Sequence, residues 1–521
     1  MILAVAMTFI DQTIVSISIP EIQDDLHLSS TGVQWVINGY LLTLAALFAF
    51  GGKIADVFGR KRMVITGILI FAGASTMCGL TPEGSIAETW IIVWRIIQGA
   101  GAAIMFPAAL AIVISAFPLE RRGKALALFF GLTGVFTSIG PMAGGYLSEW
   151  TWRAIFWINI PVAIASLILI IKANPPEHKN PQKIDIRGAV LISAGMGLLV
   201  LGLQQSAVWG WSSPATWGCI IVGAITLVGF TFFELKVPKP LIRVRIFKDR
   251  SFAVDCAILF LLSIPFVPLF FFASVYSQVA LGWEASESGL YLLVFFGGFA
   301  TASQWGGRIL DAKGARPAVI LGSALAAVGF YLWAGQMTDI DAGLGGQWYW
   351  IVLAGAGVGL VLSPASTDAI NRAPSTSYGE ATGITQTVRN FGASLGLAVL
   401  GTILTLQVKS NILDTTKEAG AGSSFGHDVV DAVSSADQGG HGAEKLTSAQ
   451  QKVIDSIPSD YAMATQKVFY VMAGVMAVCF VVALIGSPKG KMEEVPVLDD
   501  DESPETVASS APGEPPAAPA A

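Results

Sequence analysis

At 521 residues, with 53% hydrophobic and 13% charged residues, the chain is too apolar for a soluble domain, in which about a quarter of residues are charged. A mean hydropathy of +0.63 over the whole length means apolar stretches that recur almost to the C-terminus, not a single core behind a leader. The net charge of −6 argues against a nucleic-acid partner, and four Cys spread through apolar segments without CxxC spacing suit neither a disulfide framework nor a metal site.

A helix needs about 20 apolar residues to cross the hydrocarbon layer. Breaks at charge, Pro and Gly clusters predict fourteen such spans: 1–20, 32–54, 63–81, 88–115, 123–147, 153–172, 188–206, 216–235, 252–280, 288–310, 317–337, 348–370, 379–407 and 465–487. The loop after the second span and every alternate loop from there carry 23 of the 31 Lys and Arg residues. Positive loops stay in the cytoplasm, so the pattern predicts an even number of crossings with both termini cytoplasmic. Residues 408–464 read as an acidic outer loop rich in Gly, Ser and Ala, expected to be mostly disordered. The tail from about 490, acidic and then Pro- and Ala-rich, reads the same way.

The loops hide a repeat. Gly51-Gly52-Lys53-Ile54-Ala55-Asp56-Val57-Phe58-Gly59 and Gly306-Gly307-Arg308-Ile309-Leu310-Asp311-Ala312-Lys313-Gly314 share the pattern G-G-[KR]-I-x-D-x-x-G at an offset of 255 residues. The copies stand eight predicted spans apart and so share one orientation, which makes a parallel repeat of six-helix halves, an architecture of transporters. The chain then divides into a first half over 1–172, two inserted spans with their loops over 173–250, a second half over 251–487 that includes the outer loop, and the tail 488–521. The fold expected is an all-α membrane protein of fourteen transmembrane helices, two six-helix halves plus two inserted helices.

The segment from Gly52 through Asp56, Gly59, Arg60 and Arg62 resembles the inner-loop motif of the major facilitator superfamily, and the layout resembles its fourteen-span drug:proton antiporter branch. Val57 departs from the basic residue that usually follows the Asp. Further stretches are similar to motifs of that branch: Asp11 with Gln12 and Thr13 in the first span, Arg95 through Gly101 in the fourth, and Gly140-Pro141-Met142-Ala143-Gly144-Gly145 in the fifth. Trp152 through Pro161 and Gly383 through Gly392 also fit. The resemblance implies proton transfer through Arg95, and export by antiport through the glycine-proline motif.

Read as chemistry, Asp11 near the middle of its span is costly unless it is paired, faces the bundle interior or takes up a proton. Arg95 lies at matching depth and cannot deprotonate, so the two are expected to pair and to couple protons; a permanent structural pair is the alternative. Gly140, Pro141, Gly144 and Gly145 predict a kinked seam that seals the halves. Gly52, Asp56, Gly59, Arg60, Arg62 and, in the second copy, Asp311 predict an inner gate, with a weaker second latch because Ala315 and Pro317 replace two basic positions. Asp255, Glu234 and Asp368 read as snorkelling groups near span ends. Trp35, Asn38, Tyr40, Gln98, Phe271, Gln304, Gln386 and Arg389 are candidates for a mostly apolar cavity with few polar anchors.

These readings add up to a transporter that exports hydrophobic small molecules by alternating access, driven by inward proton flow. No enzyme constellation, nucleotide loop or cofactor motif accompanies it. The expected partners are protons, the lipid of the cell membrane and a hydrophobic or lipid-like substrate, and the expected state is a monomer. A dedicated exporter of one lipid or metabolite, and a transporter-like receptor or scaffold, are the alternatives. One acid and two arginines as the deep charges weaken the case for cationic drugs.

Overall fold

The computed structural model describes residues 1–177, 179–435 and 447–491, and every regular element among them is a helix. Fourteen long helices fall on the fourteen predicted stretches: α1 (Ile2–Ile17), α2 (Ser30–Phe58), α3 (Arg60–Gly79), α4 (Ala87–Ser115), α5 (Arg122–Trp150), α6 (Asn159–Ala173), α7 (Ile186–Gln204), α8 (Pro214–Glu234), α9 (Arg250–Val279), α10 (Ala285–Lys313), α11 (Ala315–Gln336), α12 (Gly343–Asn371), α13 (Tyr378–Ala419) and α14 (Ser448–Gly486). Among the described residues, eleven helices are long and apolar enough to cross a membrane; α1, α5 and α10 are not among them. α1 is a 16-residue helix. α5 and α10 pack against each other through faces that carry Gly, Ser and Thr, which let helices approach closely.

The two most extensive contacts between the halves follow one pattern. α2 lies along α13, and α5 lies along α10, so the second helix of each half meets the fifth of the other. Glycine makes both approaches possible. A Cβ at Gly52 would overlap the Gly379 carbonyl, and one at Gly307 would overlap the Gly123 carbonyl. The repeat motif ends α2 and α10 in the same way: Gly59, at φ +110°, separates α2 from α3, and Gly314, at φ +87°, separates α10 from α11. Both positive angles favour glycine. These turns mark the basic end of the bundle. Met1 lies there beside Phe117 and Ala125, and Gly490 lies beside Gly314, so both described chain ends share that end.

α7 and α8 pack on each other outside the bundle, with α7 laid over α2 and α13. Inside the second half, Gln347 accepts hydrogen bonds from Tyr291 and from Trp333 Nε1 at 3.1 Å, and donates to Tyr276 Oη at 3.0 Å. All four side chains are buried. Gln347→Leu therefore strands several polar groups, and a thermal-shift assay in detergent should show a loss of about 2 kcal/mol.

The outer segment 408–464 corrects the sequence reading. Its described residues are largely helical: α13 runs on to Ala419, a further helix covers Ser423–Ser435, and α14 begins at Ser448. Asn411 Nδ2 donates to the Asp460 carbonyl at 2.9 Å, and Thr415 Oγ1 to Asp460 Oδ1 at 3.2 Å, which ties the two projecting stems together. Low hydropathy there marks water rather than loss of structure. The tail beyond 491 lies outside the described residues.

Candidate functional site

Asp11 lies about 14 Å along α1 from Ile2. It is fully buried. Arg95 of α4 reaches it: Nη1 donates to Asp11 Oδ2 at 2.5 Å and to Gln98 Oε1 at 2.7 Å. Gln98 sits one turn further along α4 and donates from Nε2 to Asp11 Oδ1 at 2.7 Å, closing a three-membered ring of side chains. Arg95 Nε donates to the Val36 carbonyl at 3.0 Å, and the guanidinium carbon lies 4.4 Å from the centre of the Tyr40 ring. A charged pair taken out of water survives in such a place because its remaining donors and acceptors are met. Three helices of the first half thus share one buried charged cluster. Trp35 and Asn38 stand half-buried on the same stretch of α2.

The basic end is closed by a second group of contacts, which cross between halves. Asp56, near the end of α2, accepts from Gly379 N at 3.1 Å and from Glu380 N at 2.8 Å, the exposed amides of the first turn of α13. Asp311, near the end of α10, accepts from Gly123 N at 2.8 Å and Lys124 N at 3.2 Å, the first turn of α5. Each repeat Asp therefore caps the fifth helix of the other half, where a negative charge also complements the helix dipole.

Around Asp56 the first copy adds charge. Arg60 Nε donates to Asp56 Oδ1 at 2.9 Å, and its Nη2 donates to the Ser375 carbonyl at 2.6 Å. Lys53 Nζ lies 3.3 Å from Glu380 Oε2. Arg122 donates to Asn371 Oδ1 at 2.9 Å and to Tyr378 Oη at 2.8 Å. In the second copy the position of Arg60 is Ala315, which brings no such donor. Arg62, expected in the gate, is exposed and makes no ion pair among the described residues. Lys53→Glu should set two buried carboxylates against each other and slow transport about tenfold, with partial recovery in the Lys53→Glu/Glu380→Lys pair. Recovery is partial because Glu380 Oε1 also accepts from Arg243 N at 2.6 Å.

The glycines of the fifth helix also differ from expectation. A Cβ at Gly140 would overlap Thr13 Oγ1, and one at Gly144 would lie 3.1 Å from Ile14 Cγ1, so both turn toward α1 of the same half. They do not line the seam between halves; they hold α5 against the face of α1 that flanks Asp11. The surroundings of Pro141 and Gly145 lie outside what the structure describes.

Of the remaining cavity candidates, Gln386 and Arg389 are brought together, Arg389 Nη1 donating to Gln386 Oε1 at 3.0 Å. Gln304 is half-buried on α10 and faces Gly131 of α5. Phe271 is 54% exposed, outside the ring cluster that Phe266, Phe270, Phe296 and Phe299 build, which removes it from that apolar interior. Asp255, Asp368 and Glu234 are buried rather than snorkelling. Arg372 draws two of them in, with Nη2 at 2.8 Å from Asp368 Oδ2 and Nε at 3.7 Å from Asp255 Oδ2. The missed partners, Glu380, Tyr378, Asn371 and Arg122, carry no motif; polar side chains clustered at span ends were the available signal.

This geometry has known counterparts. The Major Facilitator Superfamily profile matches residues 1–397. The chain belongs to the major facilitator superfamily. A tetracenomycin C resistance and export protein of Streptomyces glaucescens is 34% identical over 418 residues, covering 80% of this chain and 77% of that protein. The cephamycin export protein CmcT of Amycolatopsis lactamdurans is 31% identical over 403 residues, covering 75% of this chain and 81% of its own. Among solved structures, the superfamily's proton:xylose symporter XylE is similar at a TM-score of 0.58 and 11% identity, over 94% of this chain and 95% of that one. The human organic anion transporter MFSD10 is similar at 0.57 and 13% identity, over 92% and 97%. At such identities the likeness is one of fold. With eleven apolar spanning helices among its described residues, this superfamily member is a multi-pass membrane protein.

Proposed function

We propose that this superfamily member exports hydrophobic small molecules by proton antiport across the cell membrane, its two halves rocking around a central cleft. The observation that carries the reading is Asp11: a fully buried carboxylate at mid-depth, held by Arg95 and Gln98 and packed through Gly140 and Gly144 against a helix of the inter-half seam. Relatives named as exporters of tetracenomycin C and cephamycin support the outward direction.

The cycle follows from the contacts. With the basic end closed by Asp56, Asp311 and Lys53–Glu380, the cleft opens to the other side, where a proton neutralises Asp11. Arg95 then keeps the Val36 carbonyl, Gln98 and the Tyr40 ring but loses its counter-charge, and α1, α4 and α5 shift together. The basic end opens, the proton leaves to the cytoplasm and substrate enters. Driving force comes from the proton gradient, without a cofactor. All fourteen long helices cross the bilayer, the basic end and both termini lie in the cytoplasm, and a monomer suffices because one chain supplies both halves.

The test is reconstitution into liposomes with an acid lumen, following three probes: pyrenebutyrate, its neutral amide and ethidium. Protonophore-sensitive uptake of at least one probe, absent from protein-free liposomes, is the expected result. No protein-dependent movement of any of the three overturns the reading.

A further inference from the structure

Buried cations elsewhere in this molecule have counter-charges or oxygen acceptors. Arg95 has Asp11, Arg60 has Asp56, Lys53 has Glu380 and Arg372 has Asp368; Arg122 has the oxygens of Asn371 and Tyr378. Arg389 differs. It is 7% exposed, its Nε has no hydrogen-bond partner, and among the described residues no carboxylate lies within ion-pair distance of it. Its named polar contact is the amide oxygen of Gln386. Burying a guanidinium without a counter-charge is strongly unfavourable, so an unpaired one in hydrocarbon marks a place where something else supplies the anion.

Its direction says where that anion comes from. Arg389 is the twelfth residue of α13, about 17 Å from the basic end and near the middle of the layer. Gly379 and Gly383 turn toward α2, while Gly392 and Gly396 turn toward the Phe260 and Ile264 carbonyls of α9. Phe391 packs outward with Leu199 and Leu203 of the inserted pair. Arg389 and Gln386 occupy the remaining arc, and the guanidinium carbon lies 5.8 Å from the centre of the Phe130 ring on α5, in the other half. It therefore faces across the cleft that alternating access must open, at about the depth of Asp11.

From this placement, and resting on the proposed export function, we infer that Arg389 with Gln386 is the recognition site for an acidic oxygen on the cargo, so that the substrate class is hydrophobic organic anions. A guanidinium fork binds a carboxylate through two parallel hydrogen bonds, and the free Nε is one arm of that fork. Gln386 can release Arg389 and donate its own amide to the incoming oxygen, while Phe130 covers an apolar body.

The test measures binding and transport separately. Tryptophan quenching by pyrenebutyrate and by its amide is titrated on the purified protein in phosphatidylcholine nanodiscs. The wild type should bind the carboxylate at least tenfold more tightly than the amide. Arg389→Gln should erase that preference while holding amide affinity within twofold, and Arg389→Lys, which keeps the charge but not the fork, should retain part of it. Intact amide binding shows that a variant is folded. Equal binding of carboxylate and amide by the wild type, or an unchanged preference in Arg389→Gln, overturns the inference. Phosphatidylglycerol nanodiscs distinguish the source of the anion: undiminished pyrenebutyrate binding there supports a free amphiphile, whereas competition that Arg389→Gln abolishes overturns it in favour of a lipid phosphate. A carboxylate preference without proton-driven uptake of any probe would leave the site standing and remove the export reading; uptake without preference would do the reverse.

Discussion

Asp11→Asn should abolish proton-driven transport while leaving the transporter folded and able to exchange substrate. Asn has nearly the shape of Asp and its oxygen can still accept from Arg95 while Gln98 keeps accepting from Arg95; its NH2 then faces Gln98 Nε2, so that one contact is given up. The main loss is the charge. Arg95 is left with the Val36 carbonyl at 3.0 Å, the Gln98 oxygen and the Tyr40 face, the set of partners it has when Asp11 carries a proton. The variant is thus held in the protonated condition, and a gradient can no longer act on it. Accumulation against a gradient should fall about 100-fold, the upper end of ordinary coupling between sites, whereas counterflow between equal substrate pools should change by less than about threefold because it needs no coupling. Asp11→Glu should keep part of the coupled rate, since it retains a carboxylate. Wild-type accumulation by Asp11→Asn would remove this carboxylate from the engine.

How far such a site can be read from sequence depends on which dimension the signal lives in. Helix positions were legible because hydrocarbon imposes a length, and each of the fourteen apolar stretches is a long helix. Depth was legible too: Asp11 is the natural partner of Arg95 by depth, and the two do pair. Azimuth was not. Gly140 and Gly144 announce a close approach without saying to which neighbour, and the neighbour is α1, not the other half. Asp56 looks like a cap for its own helix because the amides it holds lie more than 320 residues further on. Asp255 was read as snorkelling from its nearness to a span end, yet it is buried beside Arg372, a partner set by the packing of α9 against α12.

Gly52→Val should lock the basic end open. The Gly52 position is where α2 crosses α13 most closely: a Cβ there overlaps the Gly379 carbonyl and comes within 3.1 Å of Gly383 Cα. Both obstacles are backbone, so no rotamer change relieves them. The helices must separate, and overpacking of this kind costs about 1–3 kcal/mol. Separation also breaks what depends on the approach: the two amide bonds to Asp56, the Lys53–Glu380 pair at 3.3 Å and the Arg60 bond to Ser375. Overpacking and the loss of gate contacts together move a two-state equilibrium from mostly closed to mostly open, and turnover should drop about 100-fold because the cycle stops in one state. Accessibility reads the state directly. In a background with Cys78, Cys219, Cys256 and Cys479 replaced, a cysteine at Ala49, buried against Gly383, should resist a membrane-impermeant maleimide applied from the basic side. With Gly52→Val added it should label within minutes. Gly73→Ala, where an added Cβ meets nothing within 4 Å, is the control and should behave as wild type. A Gly52→Val protein that transports normally, or that still shields position 49, would show that the glycine crossing is ordinary packing and that the gate lies elsewhere.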